Sequence, residues 1–138
     1  MKRLLAVLVM AVVGASCVLG RPPLTVRTTA STATVDVRTL GEYPTSVARV
    51  RLLDTTDGRV IWEVRASDAD AQIRTISLRI GANSAMPIEV SRGSYRLVAP
   101  AGQDGFPLVS GREYKIEVWG TERGWSEASR RFEFAGSR

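Results

Sequence analysis

The stretch Ala48-Arg49-Val50-Arg51-Leu52-Leu53-Asp54-Thr55-Thr56-Asp57-Gly58-Arg59-Val60-Ile61-Trp62-Glu63-Val64-Arg65 decides the fold. Ala48, Val50 and Leu52 alternate with Arg49 and Arg51, and Val60, Trp62 and Val64 alternate with Ile61, Glu63 and Arg65. A period of two belongs to a β-strand, whose successive side chains point to opposite faces. Between the two arms, Asp54-Thr55-Thr56-Asp57-Gly58 provides residues that tolerate the positive φ angles of a tight turn. The segment therefore predicts a hairpin with one apolar face and one charged face.

The same alternation continues in both directions. Leu24 to Arg27 and Ala33 to Arg38 precede the hairpin, with a break at Gly41 to Pro44. After it come a loop at Ser67 to Ala71, a strand from Gln72 to Ile80 with Ile76, Leu78 and Ile80 on one face, and a loop from Gly81 to Pro87. A short strand around Ile88 and Val90 follows, then Gly93-Ser94-Tyr95-Arg96-Leu97, which Pro100-Ala101-Gly102 ends. Gln103 to Gly105 turns the chain toward Phe106 and Leu108. Tyr114 to Trp119 is a strong strand, Gly120 to Gly124 its turn, and Ser129 to Phe134 the last strand. No segment carries a helical period, and there is no internal repeat. Short strands with regular turn signals predict an all-β antiparallel β-sandwich over residues 24–136.

Composition narrows the chemistry. The 138 residues include no histidine and one cysteine. Ser-His-Asp and Cys-His catalysis are therefore excluded, as are the usual zinc and copper sites. No disulfide can form within the domain, so its stability rests on the core. Lys115 stands mid-strand with no serine three residues before it, which argues against a Ser-Lys hydrolase. The expectation is a protein that is not an enzyme and needs no cofactor or metal. The pairs Asp54 with Asp57 and Asp68 with Asp70 lack the oxygen-rich run of a calcium loop and read as turn residues.

The first seventeen residues read as an address. Lys2 and Arg3 open them, an apolar run of ten residues from Leu4 to Val13 follows, and Gly14-Ala15-Ser16-Cys17 closes them. These are the parts of a secretory signal, and the run is too short to span a bilayer, which takes about 20 apolar residues. Removing Lys2 and Arg3 leaves 17 basic against 14 acidic residues. So mild a charge, on an exported chain, argues against nucleic acid as a partner. The segment ending at Cys17 resembles the lipobox of bacterial lipoproteins, with Gly14 where that family most often has leucine. The resemblance implies a signal peptide over 1–16, thioether-linked diacylglycerol on Cys17 with N-acylation (palmitate), and a short lipidated tether over 17–23. Val18 after the cysteine, rather than aspartate, implies the outer membrane facing the periplasm if the envelope is Gram-negative. The other reading is an ordinary cleaved signal with Cys17 as an incidental apolar residue.

A second resemblance lies in the last third. Leu108, Gly111 and Tyr114 stand at three-residue intervals, Ile116 and Val118 continue the alternation, and Gly120, Gly124, Ser126 and Ser129 follow. This resembles the end of a fibronectin type III domain, where a tyrosine corner packs its ring inward and bonds its hydroxyl to nearby backbone. It implies an immunoglobulin-like (fibronectin type III-like) sandwich. Trp62 comes later than that family's core tryptophan, and Gly93 to Leu97 also resembles a strand of transthyretin-like envelope domains. Neither fold specifies a function.

Two surfaces are candidates for binding. With Tyr114, Ile116 and Val118 inward, Trp119 faces outward beside Lys115 and Glu117, and Trp125 lies in the turn near Arg123. Exposed aromatics beside charges suit protein or glycan recognition; the alternative is that both tryptophans are covered by neighbouring structure. Arg49, Arg51, Arg59 and Arg65 are expected on the outer face of the hairpin with Glu63, positioned for anionic headgroups or a peptidoglycan carboxylate. The alternative there is a solvated face that discourages edge-to-edge pairing. Together these readings predict a lipid-anchored cell-envelope lipoprotein acting as a non-enzymatic protein-interaction or scaffold domain. The bilayer through Cys17 and an envelope protein would be its partners. The other functional reading is a carbohydrate- or peptidoglycan-binding module using Trp119 and Trp125.

Overall fold

The computed structural model describes residues 24–37, 46–102, 104–120 and 127–134. The leader and Cys17, the tether, the break at Gly41 to Pro44, Gln103, most of the Gly120 to Gly124 turn with Arg123, Trp125 and the last four residues lie outside them.

Eleven strands follow in order: β1 Leu24–Thr28, β2 Thr32–Val37, β3 Val47–Asp54, β4 Val60–Ala66, β5 Gln72–Arg79, β6 Gly81–Ser84, β7 Ile88–Arg92, β8 Tyr95–Ala99, β9 Gly105–Leu108, β10 Glu113–Gly120 and β11 Glu127–Glu133. All pairings are antiparallel. A four-stranded sheet runs β1-β2-β5-β7, a five-stranded sheet runs β11-β10-β3-β4-β8, and β6 pairs with β9 as a separate ribbon. The fold is thus all-β and sandwich-like, and the described residues contain no helix.

The core takes the inward face of each sheet. Ala33, Val35, Ile76 and Leu78 come from the four-stranded sheet, and Val50, Leu52, Trp62, Val64, Ile116 and Val118 from the five-stranded one, all fully or almost fully buried. These are the positions that the alternation marks as apolar, and removing their surface from water stabilises the fold by about 25 cal/mol per Å². Trp62 lies at the centre. Its ring stacks on Phe106 of β9 with centroids 5.8 Å apart, and its Nε1–H donates to the Ala85 carbonyl at 2.8 Å. One side chain therefore ties the five-stranded sheet to the β6–β9 ribbon.

That ribbon corrects the expectation of a loop from Gly81 to Pro87. Gly81–Ser84 is a strand because Asn83, buried, replaces a sheet partner for the end of β5. Its Oδ1 accepts from the Arg79 N–H and its Nδ2 donates to the Arg79 carbonyl, both at 2.8 Å. Gly105, opposite Ser84, has no room for a Cβ, which would collide with the Asn83 carbonyl.

The hairpin forms as expected, with one irregularity. Between Leu52 and Leu53 the register slips, so that Leu52 faces Trp62 but Leu53 faces Val60. The extra residue is Ile61 on β4, and the alternation of β3 continues through Val50 and Leu52 to Asp54, which is buried. Its Oδ1 accepts from the Thr56 N–H at 2.9 Å and its Oδ2 from Arg112 Nη1 at 2.7 Å. The Thr56 hydrogen bond, then Arg112, hold its carboxyl below the ordinary carboxylate range. Gly58 carries the positive φ that the turn requires, +70°. Arg59 belongs to this turn and not to a strand face, since its N–H is bound to Asp57 Oδ1 at 3.0 Å.

Opposite Asp54, at the start of β10, the ring of Tyr114 is buried against Phe132 and Phe134. Its hydroxyl accepts from the Val109 N–H at 2.8 Å and faces the Val109 carbonyl at 3.3 Å. Gly111 takes φ +82° in the turn between them. The Leu108-Gly111-Tyr114 spacing thus produces the inward ring and backbone-bound hydroxyl expected of it.

Two outcomes follow. Trp62→Ala removes the central ring and its bond to Ala85, and should cost about 3–5 kcal/mol, read as a lower midpoint in urea unfolding. Asp54 has a depressed carboxyl, so its stabilisation is present above the unfolded-state pKa and is lost as pH falls through the folded one. Between about pH 5 and pH 2 the wild type should therefore lose more thermal stability than Asp54→Asn.

Candidate functional site

The outer face of the five-stranded sheet collects the charged residues singled out above, and strand pairing decides which of them meet. Trp119 of β10 stands opposite Arg49 of β3, Arg49 opposite Arg65 of β4, and Arg65 opposite Arg96 of β8. Directly opposed residues share a face, so three arginines and a tryptophan form one row across four adjacent strands. At about 4.8 Å between strands the three arginine positions span about 10 Å. The neighbouring row is Glu117, Arg51 and Glu63.

The second row neutralises itself. Arg51 meets Glu117, with Nη2 to Oε1 at 2.9 Å, and Lys115 Nζ approaches the other carboxylate oxygen at 3.4 Å. Glu63 accepts from Arg65 Nε at 3.0 Å. Both carboxylates, though on the outer face, are only 7% and 6% exposed. Long basic side chains cover them with their aliphatic stems while keeping the charged ends in water.

The first row is left with surplus positive charge. Arg65 has its contact to Glu63, whereas Arg49 and Arg96 make no ion pair with a carboxylate among the described residues. Arg49 instead lies over the Trp119 ring, its guanidinium carbon 3.8 Å from the centroid, with Arg51 behind at 5.0 Å. Such stacking is worth about 0.5–1 kcal/mol at an exposed site and fixes the guanidinium plane. Trp119 is half-buried and faces outward beside Lys115 and Glu117 as expected. The side covered by Arg49 is not free for a sugar ring to stack on.

Of the expected arginines, Arg49, Arg51 and Arg65 therefore come together, while Arg59 stands apart in the turn. Arg96 was not among them. Its outward position follows from its place beside inward Tyr95, but its partner strand does not. β4 and β8 are separated by three strands, and the register shifts between Glu63 and Val64. Arg123 and Trp125 lie outside the described residues.

The aspartate pairs are engaged in local structure. Asp68 Oδ2 accepts from the N–H and Oγ of Ser94 at 3.0 and 3.1 Å, and Asp70 pairs with Arg92 at 3.0 Å. A cleft of about 480 Å³ lies beside β2, β5 and β6, between Thr34, Ser77, Arg79 and Asn83. Its most directional groups already have internal partners: Arg79 Nε donates to the Ala82 carbonyl at 2.7 Å, and the Asn83 amide holds the end of β5. Among the described residues no group of three or more histidine, cysteine or acidic side chains is placed to hold a metal.

Comparison with protein-family models and with curated proteins found no match for this chain.

Like charges directly opposed across strands destabilise a sheet by about 0.2–1 kcal/mol per pair relative to neutral ones. Arg96→Glu places a carboxylate opposite Arg65 and should raise stability by that amount, measured as an increase in melting temperature with an unchanged far-ultraviolet spectrum.

Proposed function

We propose that this chain is a cell-envelope lipoprotein, anchored by acyl chains on Cys17, whose β-domain is a non-enzymatic interaction module of immunoglobulin-like, fibronectin type III-like type. The observation that carries the anchoring is the leader itself: a basic start, ten apolar residues, three small residues and then the chain's single cysteine. Acylation gives that cysteine a use and removes the unwanted pairing that a lone thiol invites in an oxidising compartment. The strand order of the two sheets and the hydroxyl-to-backbone bonds of Tyr114 support the fold subtype.

The β-domain's part in this reading is recognition. Its core is apolar and closed, and its concentration of unneutralised charge sits on the outer face of the five-stranded sheet. A rigid sheet that fixes arginines by stacking and cross-strand packing is preorganised for a partner, which lowers the ordering cost of binding. An envelope protein or the membrane surface would meet that face. With Val18 after the cysteine, the expected site is the periplasmic side of an outer membrane where the cell has one.

The anchoring is tested by metabolic labelling. Palmitate label should enter the wild-type protein and not Cys17→Ala, which should also leave the membrane fraction. Absence of label from the wild type, or an unchanged fractionation of Cys17→Ala, would sink the lipoprotein reading.

A further inference from the structure

We propose that the row Arg49, Arg65 and Arg96, steadied by Trp119, is a binding surface for anionic phospholipid headgroups of the membrane that holds the protein. This rests on the lipid-anchored reading above and assigns the partner of the charged face.

The row costs the sheet stability. Three arginines placed directly opposite one another repel across β3, β4 and β8. Protection of a sheet edge accounts for charge on β8, which is an edge strand, but not for the same charge on the interior strands β3 and β4. The neighbouring row shows that this sheet readily neutralises itself, since Arg51 and Arg65 each have a carboxylate. Arg49 and Arg96 have none among the described residues, and Arg49 is held by an aromatic ring that leaves its charge intact. A surface built in this way is complementary to several negative charges spread over about 10 Å, and guanidinium matches phosphate with paired hydrogen bonds.

The position of the chain's entry selects the membrane as the source of that phosphate. The Leu24 carbonyl at the start of β1 accepts from Arg130 Nε of β11 at 3.0 Å. The chain thus enters through β1 of the four-stranded sheet where it meets β11, one edge of the sheet that carries the row. Residues 18–23 between Cys17 and Leu24 reach at most ~20 Å. The sheet from β11 to β8 is about 19 Å wide at the usual strand spacing. An acyl anchor at Cys17 therefore allows every arginine of the row to reach the headgroup layer, where basic side chains gain from the negative surface potential. The acyl chains on Cys17 hold the protein at the bilayer, and the basic surface adds a contact that orients the domain on it.

The test uses the protein as the cell processes it, purified from membranes and mixed with vesicles. One set is phosphatidylcholine alone and the other an equimolar mixture with phosphatidylglycerol. Arginine-selective dicarbonyl labelling is then read residue by residue by mass spectrometry. Arg49 and Arg96 should label at least about fivefold more slowly on the anionic vesicles, the factor expected for a basic side chain at such a surface. In roughly 1 M salt, where the Debye length is about 3 Å, the protection should disappear. Arg74, on the four-stranded sheet, should label equally on both. In Arg49→Gln with Arg96→Gln, Arg65 should lose its protection. Equal labelling of the row on the two lipids overturns the proposal, as does protection of Arg74 to the same extent. Protection by soluble polygalacturonate but not by phosphatidylglycerol also overturns it and assigns the face to an anionic glycan. The intact mass of the same sample reports acylation separately, so failure of the anchor and failure of the headgroup contact register as different results.

Discussion

The Trp62 indole is the interaction on which the rest of the structure depends. It fills the space between the sheets and hands its one polar atom to the Ala85 carbonyl. An unpaired indole N–H at that depth would cost much of what the ring gains by leaving water. The β6–β9 ribbon exists where it does because it brings both that carbonyl and Phe106 to the ring. Asn83 and Gly105 then solve the local problems the ribbon creates, one by satisfying the backbone at the end of β5 and the other by having no side chain. With no disulfide within the domain, this chain of dependences substitutes for a covalent staple.

The outward side of the same β3–β4 hairpin obeys a different logic. Inside, Val50, Leu52, Trp62 and Val64 are fully buried in the apolar core. Outside, one row is balanced by buried carboxylates and the next is not. The imbalance cannot be read as indifference, because cross-strand neighbours interact whether or not a partner is present. Core packing and surface chemistry are therefore placed on separate faces of one sheet, and a period of two is what allows it.

How much of this was legible in the sequence varies with the range of the interaction. The hairpin, its turn and the inward positions of β10 depend on neighbours a few residues apart, and alternation reveals them. The corner at Tyr114 was legible for the same reason, since its hydroxyl reaches a backbone five residues away. The pairing of Trp119 with Arg49 and of Arg65 with Arg96 depends on strand order, which a single sequence does not display. Register slips at Leu52 and at Glu63 added to this, because each moves every later side chain by one place. The ribbon at Gly81–Ser84 was missed because Gly-Ala-Asn-Ser carries turn-like residues, and only the paired strand β9 makes it a strand. Glu63 and Glu117 read as exposed, and become covered only when arginines from neighbouring strands lie over them.

The chain contains two lysines, Lys2 in the leader and Lys115 on β10. Lys115 sits on the outer face of the five-stranded sheet against Glu117, two rows along β10 from Trp119 and Arg49. Among the described residues the positive side-chain charge is otherwise guanidinium, which amine-directed reagents ignore. A fluorophore or crosslinker on Lys115 would therefore stand on the same face as the arginine row without engineering a new residue. The composition that limits the chemistry this protein can perform also gives it one natural point from which its occupancy can be watched.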